Sequence, residues 1–288
     1  MNVKKWLRGL MAAALCIAYV GSAGAAELQK VPTAWMGAQE TFPIWYAKQQ
    51  GWDKEVGLDV EMLYFNSGMD ALNTLPAKTW VFGGMGAIPA MIGALRYNTS
   101  VIANCNDEAV VNAVMVRPDS PIMATKGYNK SYPNVYGTPE SVKGKTVLCT
   151  TVSSAHFALS SWLKALGLTD KDVVIKNMDQ ASALAAFEYG IGDIVTLWAP
   201  LTYVGEKRGW KTASTPHDCY EGLPIVIVAD SEYADKNPEV TTKFLGIYMR
   251  ALEMMQKEPL EKLLPEYLRF YVDWAGTDYS ADLAELDL

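Results

Sequence analysis

The sequence predicts an α/β protein whose two lobes face each other across a ligand cleft. Two observations carry that expectation. A β-rich run, a turn of small or hydroxyl-bearing residues and a helix-like stretch recur around Val31–Gln50, Leu58–Leu75 and Val81–Leu95. After a break, the unit returns around Lys145–Leu166 and Asp193–Lys207, which makes two blocks rather than one. Strands that alternate with helices form parallel sheets. In such sheets ligands bind beyond the carboxyl ends of the strands, where these turns lie.

Taken in order, the chain opens on a leader. Lys4, Lys5 and Arg8 precede the apolar stretch Leu10–Val20, and small residues follow from Gly21 to Ala26. A basic start, a short apolar core and a small-residue site predict a secretory signal over residues 1–25, with cleavage near Ala25 or Ala26. The apolar run is short for a membrane span. Cys16 does not make a lipoprotein signal, because Leu15 stands where a small residue is needed. Export to the periplasm is therefore expected.

The first strand is expected at Val31–Met36, with a helix from Thr41 to Gln50 that Gly51 ends. Leu58–Phe65 reads as a strand, Asn66-Ser67-Gly68 as its turn and Met69–Leu75 as a helix. Trp80–Phe82 is expected as a short strand running into a turn at Gly83–Gly86, before a helix at Ile88–Leu95. Ser100–Asn104 and Val110–Val116 read as strands. Residues Ala124–Gly144 hold three tyrosines without periodicity and read as a surface loop or a functional one.

Alternation resumes with strand Thr146–Thr150, helix Ser154–Leu166, strand Val173–Lys176 and helix Gln180–Tyr189. Strand Asp193–Trp198 and a helix from Pro200 to Lys207 follow, Pro being tolerated in a first helical turn. Leu223–Ala229 is a second apolar run, and Pro238–Asp273 is helical and amphipathic.

Composition excludes several functions. The chain of 288 residues carries a net charge of −7, and removing the three basic residues of the leader takes it to −10. With no Lys/Arg-rich patch, nucleic acid is not an expected partner. His156 and His217 are the only histidines and no CxxC occurs, so neither a metal nor a cofactor is expected. Cys105, Cys149 and Cys219 sit in or beside apolar runs; buried free thiols are favoured, although an exported chain could pair two of them.

Several stretches carry a resemblance. Ala47–Val60 (AKQQGWDKEVGLDV), Gly83–Ala90 (GGMGAIPA), Ser141–Val147 (SVKGKTV), Leu166–Val174 (LGLTDKDVV) and Trp198–Pro200 (WAP) resemble the nitrate, sulfonate and taurine class of ABC-transporter solute-binding proteins, which includes thiamine-pyrimidine binders. The segment Ala124–Gly144 is longer than usual in that class, and the C-terminal helical part looks short. The resemblance implies a type II-like periplasmic-binding-protein clamshell, with crossover strands here at Ala109–Val116 and Leu223–Ala229. It places residues 26–114 and 224–288 in one lobe and 115–223 in the other. It implies a monomer that delivers a small-molecule ligand to an ABC permease in the inner membrane.

The candidate ligand-binding residues sit at the predicted strand ends. Trp35, Glu40, Thr41 and Phe42 follow the first strand, Asn66 and Ser67 the second, and Gly84, Met85 and Gly86 the third. The stretch from Thr150 to His156 opens a helix, whose free N–H groups and dipole favour an oxyanion. Thr151, Ser153 and Ser154 would add hydroxyl donors and His156 would line the cleft, although N-capping explains the serines equally. Glu40, Asp107 and Glu108 offer carboxylates to an amine, or are solvated surface charges. Trp198, like Trp35, would cage an apolar or quaternary group, or pack in a core.

These residues together favour a small organic acid bearing an amine, such as an aminosulfonate or amino acid; nitrate or a pyrimidine is the alternative. An enzyme is not expected. Ser153 or Ser154 beside His156 lacks a G-x-S-x-G elbow, and the cysteine-rich motif of the pyrimidine-precursor synthases in this class is missing. A ligand sensor for a membrane receptor is a further alternative.

Overall fold

The computed structural model describes residues 27–277 and 279–288. The leader expected over residues 1–25 lies outside them. The chain folds into two mixed α/β lobes, each built on a five-stranded sheet.

The first sheet starts with β1 (Gln29–Trp35), followed by helices α1 (Phe42–Gln49) and α2 (Trp52–Glu55) and strand β2 (Leu58–Tyr64). Helix α3 (Gly68–Thr74), strand β3 (Phe82–Gly86), helix α4 (Ala87–Arg96) and strand β4 (Thr99–Asp107) continue it. Gly51 ends α1 in the left-handed region at φ 74°, where only glycine sits without a Cβ penalty.

The chain then crosses to the second sheet. This holds β5 (Ala113–Val116), α5 (Pro139–Val142), β6 (Thr146–Cys149), α6 (Ser154–Ala165), β7 (Val174–Asn177), α7 (Gln180–Glu188), β8 (Ile194–Leu197), α8 (Leu201–Lys207) and β9 (Lys211–Ser214). It returns to the first sheet as β10 (Pro224–Asp230) and ends in helices α9 (Ser231–Lys236), α10 (Pro238–Lys257), α11 (Leu260–Arg269) and α12 (Ala281–Asp287).

Strand order is β2-β1-β3-β10-β4 in the first sheet and β7-β6-β8-β5-β9 in the second. In each sheet the strand that follows a crossing runs antiparallel to its neighbours. Strand β10 lies between β3 and β4 with helices over both faces, so its residues after Pro224 are all buried. That is why it reads as a continuous apolar run rather than an alternating one.

Three expectations change here. Gly83 and Gly84 are not a turn but the interior of β3, paired with Val228 and Ile227. A Cβ on Gly84 would stand 2.6 Å from the Trp35 ring, so glycine is needed for packing, not for a bend. Strand β9 was not expected, because KTAS offers no apolar alternation. Neither crossover is one long strand. Pairing with the second sheet begins at Ala113, so Ala113 and Val114 belong to it rather than to the first lobe, and Leu223–Ala229 leads into a strand wholly in the first sheet. The crossings are the short segments 108–112 and 215–223. They are clasped together, since Asp107 accepts from the N–H groups of Ala109 and Leu223, and Glu108 N–H donates to Leu223 O at 2.9 Å.

The Ala124–Gly144 segment is built into the second lobe. Val135 is buried beside Trp162, whose Nε1 donates to Tyr136 O at 2.8 Å. Cys105, Cys149 and Cys219 are all free thiols. Burial pushes the Cys149 thiol up to about 12, which keeps it protonated and unreactive. No helix of the described residues is long and apolar enough to cross a membrane.

Candidate functional site

The cleft lies where strand ends of both sheets meet the first crossing. Met36, Ala38 and Glu40 come from the turn after β1, and Gly86 and Pro89 from the β3–α4 junction. Glu108 comes from the crossing, and Ser153, Ser154 and Trp198 from the second lobe. Its empty volume is about 330 Å³, including the opening to solvent. The lobes touch at its floor, where a Cβ on Gly86 would stand 3.1 Å from Ser154 Oγ.

Two carboxyl groups dominate it. Glu40 is 4 % exposed and Glu108 6 % exposed. Glu40 Oε2 is buried without a hydrogen-bond partner, which is costly for a polar atom unless a ligand or water meets it. Glu108 Oε2 accepts from Asn112 Nδ2 at 2.9 Å. Burial, and then the neighbouring Glu108 carboxyl, push Glu40 up to about 8. Burial also raises Glu108 to about 7, against hydrogen bonds from Asn112 and Ser154. Among the described residues no Lys, Arg or His lines this space.

The loop carrying Glu40 is held by internal bonds. Thr41 Oγ1 donates to Met36 O at 2.7 Å, and the Tyr248 hydroxyl donates to Glu40 O at 2.7 Å. Gly84, lacking a Cβ, leaves room for the Glu40 stem.

Several expected site residues are packed elsewhere. Trp35 is buried under the first sheet, stacked on Tyr248 at 6.1 Å, with Nε1 donating to Thr33 Oγ1. Thr41 closes the loop just described. Phe42 is fully buried among Tyr267, Phe270 and Trp45. Met85 is fully buried on the α3–α4 side of the sheet. In each case the side chain faces a core because its strand or helix has an apolar layer there. Ser67 caps α3, donating to Asp70 Oδ2 at 2.8 Å while accepting from Asp70 N–H. Asp107 clasps the crossings.

The start of α6 is also more self-contained than its residues imply. The Ser153 hydroxyl donates to Thr150 O at 2.6 Å and accepts from His156 N–H. Thr151 N–H donates to Asn177 Oδ1. His156 Nδ1 accepts from Val152 N–H at 3.1 Å, so Nε2 carries the proton and donates to Asp170 Oδ2 at 3.0 Å. That ring holds Val152 at φ 56°, an unusual conformation for a β-branched residue. What remains facing the cleft is Ser154, whose hydroxyl lies against Glu108 and whose N–H opens the helix without an intrahelical partner.

Ser153→Ala is accordingly expected to cost about 1 kcal/mol of stability as a lost N-cap, read by urea denaturation. Unchanged stability would mean the cap contributes nothing.

Beside this cleft, and sharing Met36 and Trp198 with it, lies a second interlobe space of about 990 Å³ including its opening. Asn66, Tyr64, Phe65, Gln180 and Leu184 are among its walls. Ala38, Pro89, Ile225 and Gln180 line these spaces without being among the expected site residues. Gln180 carried a usable signal, because it opens the helix after a strand end. Among the described residues no group of three or more His, Cys, Asp or Glu could hold a metal ion.

Two α/β lobes joined by a pair of clasped crossings around a cleft define the periplasmic-binding-protein fold. The alkanesulfonate-binding protein SsuA from Xanthomonas axonopodis pv. citri, bound to MOPS, shares it, with a TM-score of 0.70 and 19 % identity over 91 % of this chain and 84 % of that one. The sequence pattern described as NMT1/THI5 like matches residues 38–262, and the chain belongs to that family. Among curated relatives, an ABC transporter periplasmic binding protein of Brachyspira hyodysenteriae is 28 % identical over 260 residues, 89 % of this chain and 74 % of its own length. An aliphatic sulfonates-binding protein of Bacillus subtilis is 26 % identical over 273 residues, 92 % of this chain and 78 % of its own.

Proposed function

We propose that the protein is the exported solute-binding subunit of an ABC importer, and that its ligand is a small organic solute carrying a protonated amine. The observation that carries the ligand class is the unpartnered Glu40 Oε2, buried beside Glu108 in a cleft that no basic side chain lines among the described residues. An ammonium group placed between the two satisfies Glu40 Oε2 and favours ionisation of the pair through charge-assisted hydrogen bonds. An acid group at the other end of the ligand, as in an amino acid or aminosulfonate, meets the free Ser154 N–H at the start of α6.

Nitrate or a simple sulfonate fits this chemistry less well, because a bare anion would require both carboxyls to stay protonated, whereas an ammonium group pairs with their ionised form. Catalysis has no support in the geometry. The Ser153 hydroxyl donates to a backbone oxygen and His156 is engaged on both nitrogens, so this histidine is not placed to activate Ser153.

The lobes close because the ligand binds the closed form better than the open one. A membrane permease that recognises the closed form then receives the solute.

Calorimetry with paired probes tests the reading: taurine against ethanesulfonate, and β-alanine against propionate. The aminated member of each pair is expected to bind tighter. Glu40→Gln and Glu108→Gln should each weaken that member by about 1.5–3 kcal/mol, the usual worth of a hydrogen bond to a charged group, with little effect on the other. Equal binding of both members to the wild type would sink the amine assignment.

A further inference from the structure

We infer that the second interlobe space is a tail pocket of the same site, and that the ligand is an amine bearing an extended apolar or aromatic tail rather than a compact two-carbon zwitterion. The inference rests on the amine reading for its head group and on separate observations for its tail. Met36 and Trp198 line both spaces, so the larger one opens directly beside the Glu40 end of the cleft. One molecule can therefore place an ammonium group at Glu40 and run its remainder past the Trp198 side chain.

The walls of the larger space call for an apolar group. Tyr64 and Phe65 approach from the first lobe, Leu184 and Leu201 from the second. Two of the polar residues among them, Gln180 and Asp179, are already engaged from within. Gln180 donates to Thr150 Oγ1 and Thr196 O and accepts from Trp198 N–H, which leaves it little to offer a ligand. Asp179 caps α7, its two oxygens accepting from the N–H and the hydroxyl of Ser182 at 2.9 and 2.7 Å. Its negative charge also disfavours an anionic tail. A wall that is largely aromatic and aliphatic, with Gln180 and Asp179 engaged, rewards the removal of apolar surface from water.

A compact solute held at Glu40 would leave this space to solvent. Both lobes contribute its walls, so a tail lying in it adds contacts that exist only when the lobes are closed. Tail binding is therefore coupled to closure, which a head group alone could not drive as strongly.

The test is calorimetric titration of the full exported chain with n-alkylamines from ethylamine to hexylamine, 2-phenylethylamine and taurine, beside alkanesulfonates of the same lengths. Affinity for the amines is expected to rise roughly fourfold per added methylene, the factor that corresponds to ~0.8 kcal/mol per buried CH₂. Ala181, an exposed residue on the rim of this space, provides the blocking variant. Ala181→Trp should abolish the gain with length and leave ethylamine binding unchanged. A flat length dependence in both series, taurine outbinding every tailed amine, or a length gain that survives Ala181→Trp would overturn the tail pocket. A length gain confined to the sulfonates and lost in Ala181→Trp would keep the pocket and overturn the amine reading beneath it.

Discussion

Phe42→Ala is expected to destabilise the protein by about 3–5 kcal/mol, the cost of emptying a fully buried phenylalanine site. Phe42 has no exposed surface. Its ring meets Tyr267 edge-on at 4.9 Å, Phe270 at 5.9 Å and Trp45 at 6.0 Å. Such aromatic pairs add to simple burial, so the loss lies toward the upper end of the range. The rings belong to α1 on one side and to the C-terminal helices on the other, so relaxation cannot refill the gap from one element alone. The same cluster sets the position of α12. Tyr267 and Tyr271 donate to Asp287 Oδ2 at 2.6 and 3.1 Å, and Asp282 of α12 pairs with Lys207 of the second lobe at 2.6 Å. Urea denaturation reads the effect. A loss below about 1 kcal/mol would mean that the C-terminal helices do not pack on α1, since surface substitutions alone stay within such limits.

The fold was legible where periodicity and chain topology agree. Leu58–Tyr64 and Thr146–Cys149 fall within a residue of the expected strands, and the helices after them begin where small or hydroxyl residues interrupt the pattern. Legibility failed where packing overrode local rules. Gly83 and Gly84 carry turn residues into a strand interior, because the Ala34 backbone and the Trp35 ring fill the places their side chains would take. Nothing within the local sequence announces that.

The site was legible at the level of segments and less so at the level of side chains. Ligand turns at strand ends follow from the fold, but adjacent residues in a turn face opposite ways. Trp35 lies in the core while Met36 lines the cleft. Glu40 could be singled out as a carboxylate after a strand, yet its weight comes from being buried with no partner, which only tertiary structure discloses. The serines of the α6 start pointed to an anion through chemistry they largely direct inward. Glu108 shows the converse, since a carboxylate in a crossing reads as a surface charge until two lobes close around it.

Stability of the ligand-free protein is expected to fall as pH rises from about 5 to about 8, the reverse of the trend for proteins held by salt-bridged carboxylates. The cause is the Glu40–Glu108 pair. Burial raises both carboxyls, to about 8 and about 7, and each is raised further by acidic neighbours: Glu108 and Asp287 for Glu40, Asp287 and Asp107 for Glu108. In the unfolded chain a glutamate titrates near 4.3. A carboxyl raised on folding holds a proton that the unfolded chain has released. Its stabilising contribution is complete below the unfolded value and is lost as pH climbs through the folded one. Each proton retained across that window is worth about 1.4 kcal/mol per pH unit, so one shared proton takes away about 3 kcal/mol over two units. The salt-bridged Asp230 and Glu232 are lowered by Lys78 and Lys236 and lose stability only in more acidic solution, so they do not mask the trend. Replacing both residues, Glu40→Gln with Glu108→Gln, removes the protons at issue and should flatten the decline in melting temperature. A cationic ligand acts on the same pair: by ionising it, binding releases protons, and affinity should rise with pH over the window in which the empty protein weakens. Melting curves that climb with pH, or that keep their slope in the double variant, would place the proton-holding groups elsewhere.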